Sequence, residues 1–202
     1  MARETLAIKQ DFINQCTEVL HEFGAVRYDS FVRFIEMTLD VPTECAEEIL
    51  EKMEERRDIF TTTYAGTAIV KLETSDRAAN KNLDAFDAYL CIATNEKAEK
   101  ETRQAFANKA IFPIDFTIYV SSGRVYYMLL YDKFFAQKLS IYERKQLDKA
   151  VDPVTLVVFP VGTNLEKTSL PKFKGKYRLA VVRKSRNGLT VCQATEIYGE
   201  NE

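Results

Sequence analysis

Apolar residues recur every three or four positions along the first third of the chain. Leu6, Phe12, Ile13, Cys16, Val19, Leu20 and Phe23 share one face of a helix predicted over residues 4–23, and Gly24 follows as a natural stop. A second, shorter helix is predicted over 28–38, with Asp29 or Ser30 as N-cap and Phe31, Phe34, Ile35 and Met37 turned inward. Asp40-Val41-Pro42-Thr43 reads as a turn, and Thr43 as the cap of a third helix with Ala46, Ile49, Leu50 and Met53 on its apolar face. The period then shortens to two. Residues 59–64 and 67–72 are rich in Thr, Ile, Val and Tyr, and read as a hairpin turning at Ala65-Gly66.

Residues 73–82 are polar and aperiodic, which places a domain boundary there and predicts domains at 1–73 and 82–199. Leu83, Phe86, Tyr89, Leu90 and Ala93 mark another helix, and the charged segment 95–103 either extends it or forms a loop. Residues 110–133 form the centre of the second half. Phe116, Ile118 and Val120 alternate with polar or aromatic residues, Ser121-Ser122-Gly123-Arg124 supplies a turn, and Val125–Tyr131 is apolar almost throughout. That second arm reads as a strand buried on both faces. A polar helix is predicted over 139–149, capped by Ser140 with Glu143 three residues on. Residues 154–161 read as a buried strand whose end, at Pro160, lies at an edge or a bend. Two last strands, 177–183 and 189–197, turn through Asn187-Gly188.

Composition narrows the function classes. The chain has 202 residues, 46% of them apolar, which is ordinary for a globular protein. No run approaches the ~18–20 apolar residues that span a bilayer, and the first residues lack a signal-like apolar stretch, so a cytoplasmic location is expected. The four cysteines are scattered, which suits reduced thiols better than disulfides or zinc. His21 is the one histidine and sits on a predicted helix among core neighbours, so histidine-based catalysis is not expected. The net charge of −2 conceals opposite halves. Residues 1–110 carry 14 Lys and Arg against 21 Asp and Glu, whereas residues 111–202 carry 14 against 9.

Three short helices followed by a hairpin is the layout of a winged helix-turn-helix domain. In a DNA reader the third helix would enter the major groove. Here it carries Glu44, Glu47, Glu48, Glu51, Glu54 and Glu55 against Lys52 alone, and six carboxylates repel phosphate. Glu44, Glu47, Glu48, Glu51 and Glu55 are therefore read as a face for a protein partner or for self-association.

The second half, helix, antiparallel strand pair, helix and further strand, resembles the core of the PD-(D/E)-x-K nucleases. Asp115, after Pro113-Ile114, matches that superfamily's first metal-binding Asp at the start of the second core strand. The partner acid and lysine should follow near 127–133. There the chain has Leu129, Leu130 and Tyr131, and Asp132 and Lys133 are adjacent, which on a strand would send them to opposite faces. The resemblance thus implies a degenerate nuclease-like domain, with Asp115 as a metal ligand only if the motif were complete. With the stretch FPIDFTIYVSSGRVYYMLLYD, the whole layout resembles winged-helix proteins of bacterial conjugative elements, similar to the replication-relaxation family. What this implies is an α+β chain, a winged helix followed by a small α/β domain with a mixed, mainly antiparallel sheet, acting in the maintenance, transfer or regulation of a mobile element.

One further stretch bears on partners. Lys167, Lys172, Lys174, Lys176, Arg178, Arg183, Lys184 and Arg186 fall within twenty residues, and no acid occurs from Lys167 to Thr195. Phe173 and Tyr177 are interleaved, which suits phosphate contact with base stacking. Glycine-rich phosphate loops, zinc spacings and nucleophile elbows are missing from the sequence, and no cofactor is expected. The expected function is a non-enzymatic, DNA-associated or regulatory protein. A protein–protein adaptor using the acidic helix and the basic hairpin is the alternative, and a metal-dependent nuclease the third.

Overall fold

A computed structural model describes residues 9–73, 80–97, 105–110, 112–120, 125–146, 154–164, 168, 176–184 and 190–198. The fold is mixed α+β, and the chain divides into two compact units, 1–83 and 84–202.

In the first unit, helix α1 (Gln10–Phe23) buries Phe12, Ile13, Cys16, Leu20 and Phe23. It ends where expected. Gly24 takes φ +78°, a conformation that strains a side chain bearing Cβ, and its N–H donates to the Leu20 carbonyl at 2.8 Å. That reversal leads directly into β1 (Ala25–Arg27), a strand too short to show a period in the sequence. Helix α2 (Tyr28–Leu39) buries Phe31, Val32, Phe34 and Ile35, and Phe31 and Phe34 stack at 5.8 Å. Helix α3 (Thr43–Glu55) buries Ala46, Ile49, Leu50 and Met53. Strands β2 (Phe60–Tyr64) and β3 (Thr67–Lys71) form the predicted hairpin. Its turn places both Ala65 and Gly66 at positive φ, +48° and +77°, the pairing that matches the right-handed twist of adjoining strands. Strand β1 adds to β3 antiparallel, with Val26 opposite Val70, giving the order β1-β3-β2. Asn82 donates to the Phe23 carbonyl at 2.9 Å, and Leu83 packs with Ala25 and Ile69.

Three local expectations are corrected. Neither Asp29 nor Ser30 caps α2, because the helix starts before them, at Tyr28 with Arg27 as N-cap. Thr43 does not cap α3. Pro42 holds the N-cap position, and the Thr43 hydroxyl instead donates to the Glu36 carboxylate. His21 faces solvent with 81% of its side chain exposed, not the core.

Helix α4 (Asn80–Lys97) begins in the first unit and runs on into the second, through the start of the charged segment, and residues 98–103 lie outside the described ones. It buries Phe86, Tyr89 and Leu90, together with Asp84, whose carboxylate accepts from the Val161 N–H at 3.1 Å. Strand β4 (Ala105–Lys109) was not foreseen, since Ala, Asn and Lys are poor strand formers. It pairs with β5 (Phe116–Val120), which pairs antiparallel with β6 (Val125–Leu130). The predicted turn between β5 and β6, Ser121 to Arg124, lies outside the described residues.

Helix α5 (Phe135–Gln146) begins four residues before the predicted start, so Ser140 lies within it and caps nothing. Its N-terminus is fixed by Asp132, which accepts from the Phe134 N–H through Oδ1 and from the Phe135 N–H through its carbonyl, each at 2.9 Å. Strand β7 (Val154–Phe159) then lies parallel to β6 and to β8 (Lys176–Lys184), and β9 (Thr190–Tyr198) closes the order β4-β5-β6-β7-β8-β9. Pro160 marks a bend and not a sheet edge, because β7 runs between two partners.

The near-continuous apolar runs of β6 and β7 are explained by this central position. Leu129, Val157 and Phe159 pack against Phe135, Leu139 and Tyr142 of α5, while Tyr126, Met128, Leu156 and Val158, of the opposite parity, are buried as well. The Tyr142 hydroxyl lies 2.6 Å from that of Thr155, tying the helix to β7. At roughly 1.5–3 kcal/mol for each large apolar side chain buried, these two strands hold the sheet together far more than the surface ion pairs can.

Candidate functional site

The residue singled out as the potential metal ligand lies where the start of β5 meets the end of β6. The Asp115 N–H donates to the Met128 carbonyl at 3.0 Å, and its carbonyl accepts from Ala110 at 2.9 Å. Its side-chain Oδ2 accepts from the Leu130 N–H at 2.8 Å. The carboxylate thus extends the β5–β6 hydrogen-bonding pattern by one step beyond the strand.

A lysine completes the arrangement, and it comes from a place sequence reading overlooked. Lys138 projects from the first turn of α5, and its Nζ lies 2.9 and 2.8 Å from the two oxygens of Asp115 and 3.0 Å from Asp132 Oδ2. The Leu130 carbonyl is a fourth oxygen, at 3.3 Å. Lys138 is only 4% exposed. Burying an ammonium is costly unless it is paired and hydrogen-bonded, and here two carboxylates and a carbonyl meet its three protons. The other oxygen of Asp132 caps α5, where a carboxylate is also favoured by the helix dipole.

Asp115 and Asp132 are therefore brought together, as a shared cation site would need, but the ammonium of Lys138 lies at their meeting point. Strand β6 stops at Leu130, so Asp132 and Lys133 do not alternate across a strand as the sequence reading assumed. Lys133 instead lies exposed, with Nζ 4.9 Å from the centre of the Phe134 ring. One signal could have found Lys138. Phe135, Leu139 and Tyr142 form the apolar stripe of α5, and Lys138, three residues from Phe135, is a charged residue on that stripe. Among the described residues no three or more His, Cys, Asp or Glu side chains cluster as metal ligands.

The predicted basic set is only partly placed. Lys167, Lys172, Lys174 and Arg186 lie outside the described residues. Lys176, Arg178, Arg183 and Lys184 all belong to β8, but Lys176 and Lys184 are its two ends, about 26 Å apart at 3.3 Å per residue. Strand register separates the four. Lys109 stands opposite Phe116, Leu130 beside Val158, and Phe159 beside Val181, so Lys109, Asp115, Asp132, the turn after β7, and Arg183 with Lys184 all gather at one end of the sheet. Lys176 and Arg178 belong to the opposite end.

In the first unit, α3 turns Glu44, Glu47, Glu48, Glu51, Glu54 and Glu55 outward, all exposed. Two are engaged locally. Glu48 pairs with Lys52 at 3.1 Å, and Glu54 accepts from the Thr61 N–H at 2.9 Å. The combined field reaches α2: burial pushes the Tyr28 phenol above its usual range, and the carboxylates of Glu47, Glu51, Glu54 and Asp29 push it further. The thiol of Cys16 is buried and raised by desolvation alone, which leaves it unreactive.

Compared with protein-family models, with curated proteins and with solved structures, the chain matches none. Among the described residues no helix is long and apolar enough to cross a membrane.

Proposed function

We propose that this chain is a non-enzymatic, nucleic-acid-associated regulatory protein. Its first unit is read as a winged helix, on the order of three helices, a hairpin and a short third strand. Its second unit is read as a nuclease-like sheet, on the order of helix, three antiparallel strands, helix and parallel strand. The observation that carries the non-enzymatic reading is Lys138. Its ammonium fills the corner between Asp115 and Asp132 that a divalent cation would need. A role in a bacterial mobile element follows from the sequence resemblance only.

Nucleic-acid contact is assigned to the end of β8 that carries Arg183 and Lys184 and not to α3. Each phosphate neutralised steepens the fall of affinity with salt by about 0.9 in the double-logarithmic slope. Fluorescence anisotropy of labelled DNA should therefore show binding that weakens with salt, and Arg183→Glu with Lys184→Glu should flatten the slope by about two. Absence of binding at low salt would overturn the assignment. Incubation of DNA with the chain and Mg²⁺ or Mn²⁺ should leave it intact; cleavage abolished by Asp115→Asn would establish an enzyme instead.

A second reading has its own support in the six exposed glutamates of α3. On that reading the chain is an adaptor that offers this face to a basic protein surface or to another copy. Light scattering should then show salt-sensitive association that is lost on Glu44→Lys, Glu48→Lys and Glu51→Lys together.

A further inference from the structure

The six-stranded sheet ends on β9, and that edge is built unlike one kept in water. An outer strand presents a row of backbone N–H and C=O groups without a partner. Proteins guard such edges by shortness, by lysine or proline, by a bulge, or by covering the free groups. The other edges of this chain are guarded in these ways. Strand β1 has three residues, and β4 has five and ends in Lys109. On β2, the Glu54 carboxylate accepts from the Thr61 N–H at 2.9 Å.

Strand β9 has none of these devices. Its nine residues pair with β8 in unbroken register, from Tyr198 opposite Lys176 to Thr190 opposite Lys184, so no bulge turns the edge aside. Among the described residues no strand lies along its outer side. Its sequence, TVCQATEIY, contains no proline or lysine and a single charged residue, Glu196, in a chain of which 29% is charged. The inner neighbour β8 carries Lys176, Arg178, Arg183 and Lys184. Charge is thus placed on the strand with two partners and left off the strand with one, the reverse of what a solvated edge needs.

We propose that β9 is a dimerisation edge, occupied by β9 of a second copy running antiparallel about a two-fold axis at Ala194. A free edge selects an extended strand, because only another strand matches its alternating donors and acceptors. The residues then select β9 itself. A two-fold axis normal to the sheet pairs residues of equal parity, and the axis at Ala194 keeps all nine in register. It puts the smallest residue of the strand at the centre. It sets Val191 opposite Ile197 and Thr190 opposite Tyr198, pairs of the β-branched and aromatic kind that stabilise sheets. Glu196 meets Cys192 and not the other Glu196, so no like charges are opposed. Pairing β9 with β4 would engage only five residues and leave a free edge at each end, giving an open chain of copies, whereas the two-fold arrangement closes. The proposal needs neither the nucleic-acid reading nor the adaptor reading.

Light scattering should give twice the chain mass. Added salt should not lower it, since residues 111–202 carry 14 Lys and Arg against 9 Asp and Glu and the two copies repel. Association through α3 has the opposite salt dependence, and the three Glu→Lys changes there should leave the β9 dimer intact. Ala194→Lys opposes two ammonium groups at the axis and should halve the mass. Ala194→Cys should form a disulfide-linked dimer on mild oxidation, because residues directly opposite have Cα atoms about 4.5–5.5 Å apart. Thr190→Cys should link no better than the unaltered chain, its two copies standing about 26 Å apart along the strands. A monomer at every salt concentration would overturn the proposal. So would a dimer that survives Ala194→Lys, a ladder of higher multimers, or equal linking by Ala194→Cys and Thr190→Cys. Circular dichroism checks that Ala194→Lys folds, and Ala194→Cys, which adds one sulfur, decides the matter where it does not.

Discussion

Lys138 shows how much can rest on one side chain. It joins the start of β5, the end of β6 and the first turn of α5 through a single nitrogen. Removing one member of such a group leaves charge without compensation, which costs more than the group contributes when intact. Lys138→Met should lower the stability of the second unit by about 3 kcal/mol in urea denaturation, toward the small end of the buried-pair range because Asp115 and Asp132 keep some solvent contact. Adding Asp115→Asn should recover about half of that loss, since the remaining amide needs no counter-charge. Additive losses in the double variant would mean that the lysine acts through packing of its methylenes and not through its charge. The group was only half legible in the sequence. Asp115 stood out because it leads the first arm of the predicted central hairpin, where the nuclease resemblance sets a metal-binding acid. Lys138 did not, because it is distant in sequence and its helix was begun one residue too late to include it.

At the scale of elements, legibility followed length and period. The helices α1, α2 and α3 bury most of the residues their spacing indicated, with Val19 and Met37 half-buried and residues 4–8, Leu6 among them, outside the described ones; the β2–β3 hairpin turns where expected, and the apolar runs of β6 and β7 foretold buried strands. What escaped were elements defined by their partners. Strand β1 has three residues and exists because Gly24 turns the chain onto β3. Strand β4 has weak strand propensity and is fixed by its register with β5. The start of α5 is set by a carboxylate three residues outside it, which no periodicity reports. The hairpin turn offers a direct test. Ala65 sits at φ +48°, where a Cβ is crowded, whereas asparagine tolerates that region and favours this turn when glycine follows. Ala65→Asn should stabilise the first unit by about 0.5–1 kcal/mol, visible as a higher urea midpoint with unchanged slope.

The whole molecule is two compact units, each enclosing buried side chains of its own. The three-helix layer of the first is built on Phe31, Phe34, Ile49 and Met53, whereas the second is centred on Leu129, Val157 and Phe159 against α5. Calorimetry should therefore resolve two transitions. Lys138→Met should lower one of them by several degrees, and Phe34→Leu the other, leaving its counterpart in place. A single transition shifted by both substitutions would show that the units unfold as one. The opposite charges of the two halves were plain in composition. The sorting of the basic residues to the two ends of β8 was not, because it depends on the parallel register of β7 with β8.

The cluster at Lys138 also constrains descent. Each single change that removes a charge there passes through a weakened chain, whichever member goes first. Substitutions at positions 115 and 138 should consequently travel together through a lineage, an acid with a base or a neutral residue with a neutral one. A lineage that gained cation chemistry at this corner would have to lose the lysine before the metal had anything to offer in its place. That order of events is a barrier in sequence space, and it would keep the corner closed long after selection for closing it had ceased.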